Sequence, residues 1–369
     1  MRLIILNNNL KEALRSAEGV VGDNPNLPIL KNILIKTEDN KINISATNLE
    51  LAVTYRASGK IIENGSLTAP LGIFANIINN LTPERITLEN KNHNLLIKTD
   101  NYEATVQGLN PEDFPIIPQI NHLDKFIKIN SKIFKNTLLK IINTIQYSEI
   151  RPEINGALFG YQVDCLKLTG TDSFRLAEKT IAADQFKSNF EESFEVIVPL
   201  KTIQEVLRII PDDGELNIFI NQNQILFKTE EQEIISRLID GKFPDYQSIV
   251  PQELKTELVI NRSELINALK LTGIFSGRVN EIKMKIGEGK KFLEIYSADS
   301  ALGENHYLLP AKINGHALTV SFNCKYLLDG IRPLEDKEII LGLNSDNQPA
   351  VIKVPGEKNW FYVLMPIKN

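Results

Sequence analysis

The chain contains two patterns of apolar residues, one with helical spacing and one with strand spacing. Six segments repeat apolar side chains every three or four residues, the spacing of one helical face. After Pro70, for example, Leu71, Phe74, Ile77 and Ile78 form one stripe, and proline is favoured in the first helical turn. The pattern predicts helices at residues 10–21, 70–81, 131–145, 199–210, 262–275 and 323–334.

Between these helices, apolar and polar residues alternate as they do in half-buried strands. In residues 41–57, for instance, polar positions separate Ile42, Ile44 and Ala46. The order helix, strands, helix, strands occurs three times along the chain. The pattern therefore predicts an α+β fold.

Short sequence echoes indicate three copies of one unit. Residues 95–99 read Leu-Leu-Ile-Lys-Thr, residues 225–229 read Ile-Leu-Phe-Lys-Thr, and residues 350–354 read Ala-Val-Ile-Lys-Val. The pairs Phe114-Pro115, Phe243-Pro244 and Met365-Pro366 follow the three echoes. Long internal periods are typical of proteins built by stacking one unit. The spacing predicts domains at residues 1–122, 123–253 and 254–369, each large enough for its own core.

Positive charge is concentrated on the predicted helices. The whole chain carries a net charge of -5 and the six helical segments together carry +6, so the remaining residues carry -11. Amphipathic helices often carry solvated Lys and Arg, so this count alone does not identify a function. The alternative is a basic helical surface that faces phosphate groups on an otherwise acidic protein.

The sequence contains no recognisable catalytic or metal-binding motif. The run Gly287-Glu288-Gly289-Lys290 lacks the first glycine and the hydroxyl residue of a phosphate-binding loop, and it predicts a hairpin turn instead. The two cysteines, Cys165 and Cys324, have apolar neighbours, which favours buried small side chains over catalytic thiols. The low cysteine count and the lack of a signal-like or membrane-spanning run predict a cytoplasmic protein. An enzyme with an unrecognised site stays an open alternative.

Three motifs carry a resemblance to a known family: residues 171–177 (Thr-Asp-Ser-Phe-Arg-Leu-Ala), residues 238–246 (Leu-Ile-Asp-Gly-Lys-Phe-Pro-Asp-Tyr) and residues 362–367 (Tyr-Val-Leu-Met-Pro-Ile). Together with Asn-Leu-Pro-Ile-Leu at residues 26–30, they span the chain in order. The sequence resembles the bacterial DNA polymerase III β subunits, the replicative sliding clamps. The resemblance implies three domains of the DNA-clamp fold, each with two helices packed on antiparallel sheets, and a head-to-tail homodimer that forms a six-domain ring. It implies no enzymatic activity, no cofactor and no metal.

The same resemblance implies the partners and a pocket for them. The partners would be double-stranded DNA without sequence specificity, the polymerase III α subunit, the clamp loader, and other polymerases and repair proteins that carry short clamp-binding peptides, with no membrane involved. The implied pocket residues are Ile154, Thr171, Ser173, Phe174, Arg175, Leu176, Pro244, Ser248, Ile249, Val279, Asn323, Tyr326, Val363, Leu364, Met365, Pro366 and Ile367. Arg175, Asn323 and Tyr326 are expected to supply polar anchors in this apolar cleft. Phe174 stands where the family often has His, and Ser248 stands where it often has Arg.

Two further residue sets complete the expected ring. The resemblance implies that Ala104 and Val106 meet Ile274 and Phe275 of a second copy. The helix charge and the resemblance together predict the DNA-facing residues Asn24, Lys132, Lys135, Lys140, Ser148, Arg151 and Lys201. Asn24 and Pro152-Glu153 stand where the family often has basic or aromatic residues that touch DNA. A peptide-binding repeat scaffold that does not encircle DNA is the alternative function.

The chain end is expected to tolerate removal. Termini usually carry few packing obligations, so deletion of residues 363–369 is expected to spare folding and dimer formation while abolishing peptide binding.

Overall fold

Alternating helices and strands run through the computed structural model, which describes residues 1–38, 40–120, 123–289 and 291–368. In these ranges the helices are α1 (Asn7–Glu18), α2 (Leu71–Asn80), α3 (Ser131–Leu139), α4 (Leu200–Ile209), α5 (Arg262–Thr272) and α6 (Cys324–Ile331). Each one overlaps a predicted helix. The prediction of an α+β fold is confirmed.

The helix ends differ from the predicted ones for local reasons. Asparagine side chains fix three starts, because Asn130, Asn261 and Asn323 each accept hydrogen bonds from backbone N–H groups in the first turn of α3, α5 and α6. Helix α3 ends at Leu139, short of the predicted residue 145, and the chain then tightens into a separate 3₁₀ turn at Ile142–Thr144. Helix α5 likewise ends before a 3₁₀ turn at Gly273–Phe275.

The strands follow the three predicted copies, which are called the first, second and third repeats (residues 1–122, 123–253 and 254–369). The first repeat contains β1 (Arg2–Leu6), β2 (Asn32–Glu38), β3 (Lys41–Thr47), β4 (Leu51–Ala57), β5 (Gly59–Glu63), β6 (Gly65–Pro70), β7 (Arg85–Lys91), β8 (Asn94–Lys98) and β9 (Glu103–Val106). The second contains β10 (Ile127–Asn130), β11 (Gly156–Gln162), β12 (Cys165–Thr171), β13 (Arg175–Ala182), β14 (Phe186–Ser188), β15 (Phe194–Pro199), β16 (Glu215–Ile220), β17 (Gln224–Lys228) and β18 (Gln232–Arg237). The third contains β19 (Thr256–Asn261), β20 (Glu281–Ile286), β21 (Phe292–Asp299), β22 (Gly303–Asn314), β23 (Leu318–Asn323), β24 (Glu338–Leu343), β25 (Ala350–Lys353) and β26 (Trp360–Leu364).

Each repeat begins with a strand that the sequence pattern did not predict. Strands β1, β10 and β19 lead directly into the first helix of their repeats. The run Gly287–Gly289 lies between the antiparallel strands β20 and β21, as a hairpin turn requires. Lys290, the last residue of that run, lies outside the described residues.

The chain divides into two compact units. The first unit comprises Met1–Ile133, Phe186–Phe190 and Lys201–Leu238. Among its described residues are a five-stranded sheet, in the order β5-β1-β7-β8-β9, and a nine-stranded sheet, in the order β14-β10-β16-β17-β18-β4-β3-β2-β6. Strand β18 of the second repeat pairs antiparallel with β4 of the first, with Ile234 opposite Val53. This sheet therefore continues from one repeat into the next.

The second unit comprises Phe134–Gln185, Glu191–Leu200 and Ile239–Asn369. As far as the structure describes it, its sheet has twelve strands in the order β15-β11-β12-β13-β26-β25-β24-β19-β22-β21-β20-β23. Strand β26 of the third repeat pairs with β13 of the second, with Leu176 opposite Val363. A buried cluster lies beside this pair and includes Phe243 and Tyr246.

The predicted division into three domains stays a prediction, since both large sheets cross from one repeat to the next. The first boundary falls at Asn121 and His122, which lie outside the described residues. In the part of the chain that the structure describes, no helix is long and apolar enough to cross a membrane.

Candidate functional site

A tight turn between β12 and β13 forms the centre of the predicted pocket, and all the predicted pocket residues belong to the second unit. Asp172 Oδ1 accepts hydrogen bonds from the backbone N–H groups of Phe174 and Arg175, both at 3.0 Å. Thr171 Oγ1 donates to the Arg175 carbonyl oxygen at 2.8 Å. Ser173 adopts a φ of 77°, a left-handed conformation that non-glycine residues seldom adopt. The turn therefore holds Phe174, which is 60% exposed, in a fixed position on the surface.

The Arg175 guanidinium is engaged inside the protein. Its Nε donates to Asp172 Oδ2 at 2.9 Å and its Nη1 donates to Asp329 Oδ2 at 2.6 Å. The guanidinium carbon lies 4.1 Å from the ring centroid of Tyr326, within the range of a cation–π contact. Only 3% of the Arg175 side chain is exposed. Arg175 thus organises the wall between β13 and α6, and its Nε and Nη1 are already paired with carboxylates.

Asn323, the second expected anchor, is also used internally. Its Oδ1 accepts hydrogen bonds from the backbone N–H groups of Lys325 and Tyr326, which caps α6. Its Nδ2 donates to the Val279 carbonyl oxygen at 3.3 Å. This bond brings Val279, whose side chain is 63% exposed, to the start of α6.

The C-terminal residues connect the two sides of the predicted pocket. Met365 donates its backbone N–H to the Phe174 carbonyl oxygen, and Ile367 donates to the Ser321 carbonyl oxygen, both at 2.8 Å. Val363 and Leu364 are 1% and 0% exposed and belong to β26, which pairs on both sides. The expectation that residues 363–369 can be removed without loss of folding is wrong, because the first two of them are core residues of a central strand.

Buried apolar residues form the floor and partly exposed ones form the rim. Ile154, Leu176 and Val363 belong to one core cluster. Ile249 is 45% exposed. The remaining predicted residues are half-buried Pro244, exposed Ser248, buried Pro366 and half-buried Ile367.

The sequence interpretation missed the acidic and phenolic partners of this wall. Asp172 and Asp329 hold Arg175, and the Tyr246 hydroxyl donates to the Glu178 carboxylate and accepts from Thr169 Oγ1. The spacing of Asp172 and Arg175 offered a hint for one pair. Asp329 lies 154 residues from Arg175, so no local pattern indicated it.

The predicted DNA-facing residues have varied surroundings. In the first unit, Lys132 is exposed, Asn24 Oδ1 accepts from the Asn26 backbone N–H at 2.9 Å, and Lys201 lies 3.1 Å from the buried Glu205 carboxylate. In the second unit, Lys135 is half-buried.

Lys140 and Arg151, also in the second unit, make internal ion pairs. Lys140 Nζ lies 3.3 Å from Glu357 Oε1. Arg151 Nε donates to Glu153 at 3.1 Å, and Arg151 Nη1 donates to Ser173 Oγ at 2.9 Å. Ser148 Oγ accepts from the Arg151 backbone N–H. Arg151 therefore braces the pocket turn as well as its own loop.

The residues predicted for the dimer interface lie at two sheet ends. Ala104 and Val106 belong to β9, the last strand of the five-stranded sheet. Val106 is buried, so its side chain already packs within the first unit. Ile274 in the second unit is 60% exposed and Phe275 is half-buried.

Neither cysteine has the surroundings of an activated nucleophile. Burial raises the pKa of the Cys324 thiol to about 11, and burial together with Asp164 raises the pKa of Cys165. Reactive cysteines instead have lowered pKa values. Among the described residues, no group of three His, Cys, Asp or Glu side chains is arranged to hold a metal ion.

Comparison with known proteins gives matches along the whole chain. Three family models match in order: DNA polymerase III beta subunit, N-terminal domain, at residues 1–118; central domain, at residues 128–245; and C-terminal domain, at residues 247–368. A curated relative from Bacillus subtilis (strain 168), named Beta sliding clamp, is 27% identical over 382 aligned positions that cover 100% of both chains.

Solved structures agree with the sequence matches. The DNA polymerase sliding clamp from Bacillus subtilis superposes with a TM-score of 0.94 at 26% identity, covering 100% of this chain and 99% of that one. The DNA polymerase III subunit beta from Pseudomonas aeruginosa gives a TM-score of 0.93 at 26% identity, covering 100% of both chains.

Proposed function

Because the chain belongs to the DNA polymerase III beta subunit family, we propose that two copies close head to tail into a ring around duplex DNA. The family supplies the coarser function, that of a DNA sliding clamp without enzymatic activity. Such a ring would hold polymerases on DNA because a closed ring cannot leave a duplex sideways. The main support is the way the repeats join within each unit.

The first junction lies in the first unit and has a strand part and a helix part. The last strand of the second repeat, β18, pairs with β4 of the first repeat. Arg208 on α4 donates from its guanidinium to the carbonyl oxygens of Arg15 and Ser16 near the C-terminal end of α1. These carbonyls lie at the negative end of the helix dipole, where a cation is favourable.

The second junction lies in the second unit and repeats both parts. The last strand of the third repeat, β26, pairs with β13 of the second repeat, and β13 follows β12 as β4 follows β3. Helix α6 packs against the 3₁₀ turn Ile142–Thr144, which follows the first helix of the second repeat. Both junctions thus join the last strand and second helix of one repeat to the fourth strand of the repeat before it and to the end of that repeat's first helix or the turn after it.

The first and third repeats each contain one strand and one helix of the same kind that neither internal junction uses. Strand β9, the last strand of the first repeat, has a partner on one side only within the described residues. On α2, Ile73 is 56% exposed, whereas Thr202, its counterpart on α4, is 1% exposed. In the third repeat, Gly303–Leu309 pair only with β21 among the described strands. Ile274 lies after α5, the first helix of that repeat. A free strand edge is a natural pairing site, so a second copy can complete a third junction of the same kind.

The mass in solution tests ring closure. A closed dimer has twice the mass of the 41.6 kDa chain, and a head-to-tail contact that closes after two copies does not grow further. We expect light scattering to give a dimer at micromolar concentration and Ile274→Ala with Phe275→Ala to give monomers. Val163→Ala, which trims a 66% exposed side chain in the turn between β11 and β12, is the matched control and should stay dimeric. A wild-type monomer would contradict ring closure, and a dimeric double variant would remove these residues from the interface.

DNA binding by such a ring is expected to be topological. Lys132 is exposed, whereas Lys140, Lys201 and Arg151 are partly neutralised by carboxylates. Phosphate contacts carry no sequence information, and few free cations imply weak, salt-sensitive affinity for short linear duplex. Protein loaded on a nicked circle should stay bound until the circle is cut. Prompt release from the intact circle would favour the repeat scaffold that does not encircle DNA.

The pocket in the second unit is proposed to hold short peptides of polymerases, the clamp loader and repair proteins. Its support is the apolar floor of Ile154, Leu176 and Val363 beneath a partly exposed rim, the usual composition of a peptide cleft. Tethering by such a peptide raises the effective concentration of its owner at the template. Calorimetry with a synthetic hexapeptide that carries Gln and Leu side chains should give one site per chain. No binding at millimolar peptide would reject the pocket.

A further inference from the structure

The pocket turn of the second unit has a structural duplicate in the first unit. Asn48 Oδ1 accepts hydrogen bonds from the backbone N–H groups two and three residues later, and Asp172 Oδ1 does the same. The next residue adopts a left-handed φ in both turns, 79° at Leu49 and 77° at Ser173. The two turns are therefore equivalent residue by residue, and each occupies the same place beside a repeat junction.

The edge of each turn, here called its lip, is formed by Phe174 and Met365 in the second unit and by Glu50 and Arg237 in the first. The two lips differ in charge. In the second unit, the Phe174 carbonyl oxygen accepts the Met365 N–H at 2.8 Å, so an aromatic and a thioether residue are paired there through their backbones. In the first unit, the equivalent backbone bond runs from Arg237 to Glu50 at 2.9 Å. The side chains of that pair also meet, with 3.6 Å between Arg237 Nη1 and Glu50 Oε1. An apolar lip in one unit thus corresponds to an ion pair in the other.

The floor beneath the two turns is also filled differently. Leu176 occupies the floor of the second unit, and the smaller Ala52 stands at the equivalent position of β4. In the first and second repeats, an isoleucine follows six residues after the Phe of the Phe-Pro pair, Ile120 after Phe114 and Ile249 after Phe243. Ile120 is 7% exposed and packs with Ala52 in a core cluster, whereas Ile249 stays 45% exposed. This isoleucine is therefore packed beside Ala52 in the first unit and stays at the surface in the second.

We infer that three pairs of equivalent residues determine which repeat accepts a partner peptide. Phe174, Met365 and Ile249 keep the cleft of the second unit open and apolar. Their counterparts Glu50, Arg237 and Ile120 close the equivalent cleft of the first unit. This inference rests on the proposed peptide pocket. A peptide that covers the lip of the first unit would have to remove water from a carboxylate and a guanidinium, which is costly for an apolar ligand. The open cleft selects bulky apolar side chains and gives one site per chain.

The test places the charged pair of the first unit at the equivalent positions of the second unit. The double variant Phe174→Glu with Met365→Arg reproduces the Glu50–Arg237 pair, and both changes lie at partly exposed positions where folding tolerates charge. Calorimetry with the Gln- and Leu-bearing hexapeptide should show binding weakened by at least about tenfold, the loss of one hot-spot contact. The conservative variant Phe174→Leu with Met365→Leu should stay within about threefold of wild type. Circular dichroism melts check that every variant is folded.

Glu50→Ala with Arg237→Ala is the matched control, because it alters the same two positions of the duplicate turn. It should leave the affinity of the first peptide unchanged. Two equal sites per wild-type chain, or full binding by the charged-lip variant, would overturn the inference while the pocket itself stands. Absence of binding to wild type would instead reject the pocket, which separates the two failures.

Discussion

Deleting residues 363–369 removes the end of β26, a strand inside the twelve-stranded sheet. Val363 and Leu364 are 1% and 0% exposed, and full burial of such side chains is worth about 1.5–3 kcal/mol each. The strand also pairs on both sides, since Val363 lies opposite Leu176 and Val351. A buried backbone group left without a partner costs about 1–3 kcal/mol. Two such side chains and one such backbone group total about 4–9 kcal/mol, which approaches the free energy of unfolding of a typical domain, about 5–15 kcal/mol. We therefore expect the second unit to lose its native packing.

Deletion of residues 365–369 is the matched control, because it leaves β26 complete. It removes half-buried Met365 and buried Pro366, together with the two backbone hydrogen bonds of the tail. The expected cost is about 2–4 kcal/mol. At about 2–4 °C per kcal/mol, the melting temperature should fall by about 4–16 °C. This shorter truncation should fold and should lose the peptide.

The only tryptophan in the sequence provides the assay. Trp360 lies in β26 and is 1% exposed, so its fluorescence reports directly on this strand. Deletion of residues 363–369 should shift the emission to longer wavelength and abolish the cooperative melting transition, whereas deletion of residues 365–369 should keep both. The reasoning from burial and strand pairing is refuted if both truncations keep the emission of a buried tryptophan and melt within about 5 °C of each other.

Three further predictions concern charge, backbone space and thiol reactivity. Burial raises the pKa of Glu357, but its ion pairs with Lys179 and Lys140 together outweigh this and hold the pKa below its usual value. The carboxylate therefore stabilises the fold above about pH 4.3 and loses its effect as pH falls through the lowered pKa. At pH 7, Glu357→Gln should unfold at a lower urea concentration than wild type. A difference between the two proteins that persists at about pH 2 would contradict the direction of the pKa shift. Gly156→Ala should lower the melting temperature, because its Cβ would lie 2.2 Å from a backbone carbonyl oxygen, whereas Gly160→Ala meets nothing closer than 3.9 Å; equal melting temperatures would contradict the steric argument. Iodoacetamide should modify Cys324 at least about tenfold faster in urea-unfolded than in native protein at pH 8, since burial raises its pKa to about 11, and equal rates would show that this thiol is accessible.

The helices were predictable because each has a one-sided stripe that the fold buries. Leu10, Leu14 and Ala17 of α1, for example, are all at most 2% exposed. The leading strands were not predictable in the same way. Strand β10 is only four residues long, Ile127–Asn130, and so short a stretch carries little alternation. Tertiary pairing with β14 and β16 stabilises it, and such pairing is invisible in a local window.

The pocket was predictable as a set of positions but not as a set of interactions. The resemblance named Arg175 and Asn323 as polar anchors, yet both side chains are engaged within the protein. A buried guanidinium requires nearby acceptors, and sequence spacing could suggest Asp172 but not the distant Asp329. The truncation tolerance was misjudged for a related reason, because an apolar chain end can be either a loose tail or a central strand.

The proposed junction between copies differs in composition from the two junctions inside the chain, and this difference bears on how a ring could open. Inside the chain, buried apolar side chains meet, such as Val363 of β26 opposite Leu176 of β13 and Ile234 of β18 opposite Val53 of β4. The two free edges, β9 and the first half of β22, carry more polar residues, including exposed Glu103, Thr105 and Glu304, beside the exposed Leu308. Cross-strand pairs of large apolar residues contribute more to sheet stability than small or like-charged ones. The junction between copies should therefore be the weakest of the three, and a ring built in this way would open there while both internal sheets stay intact.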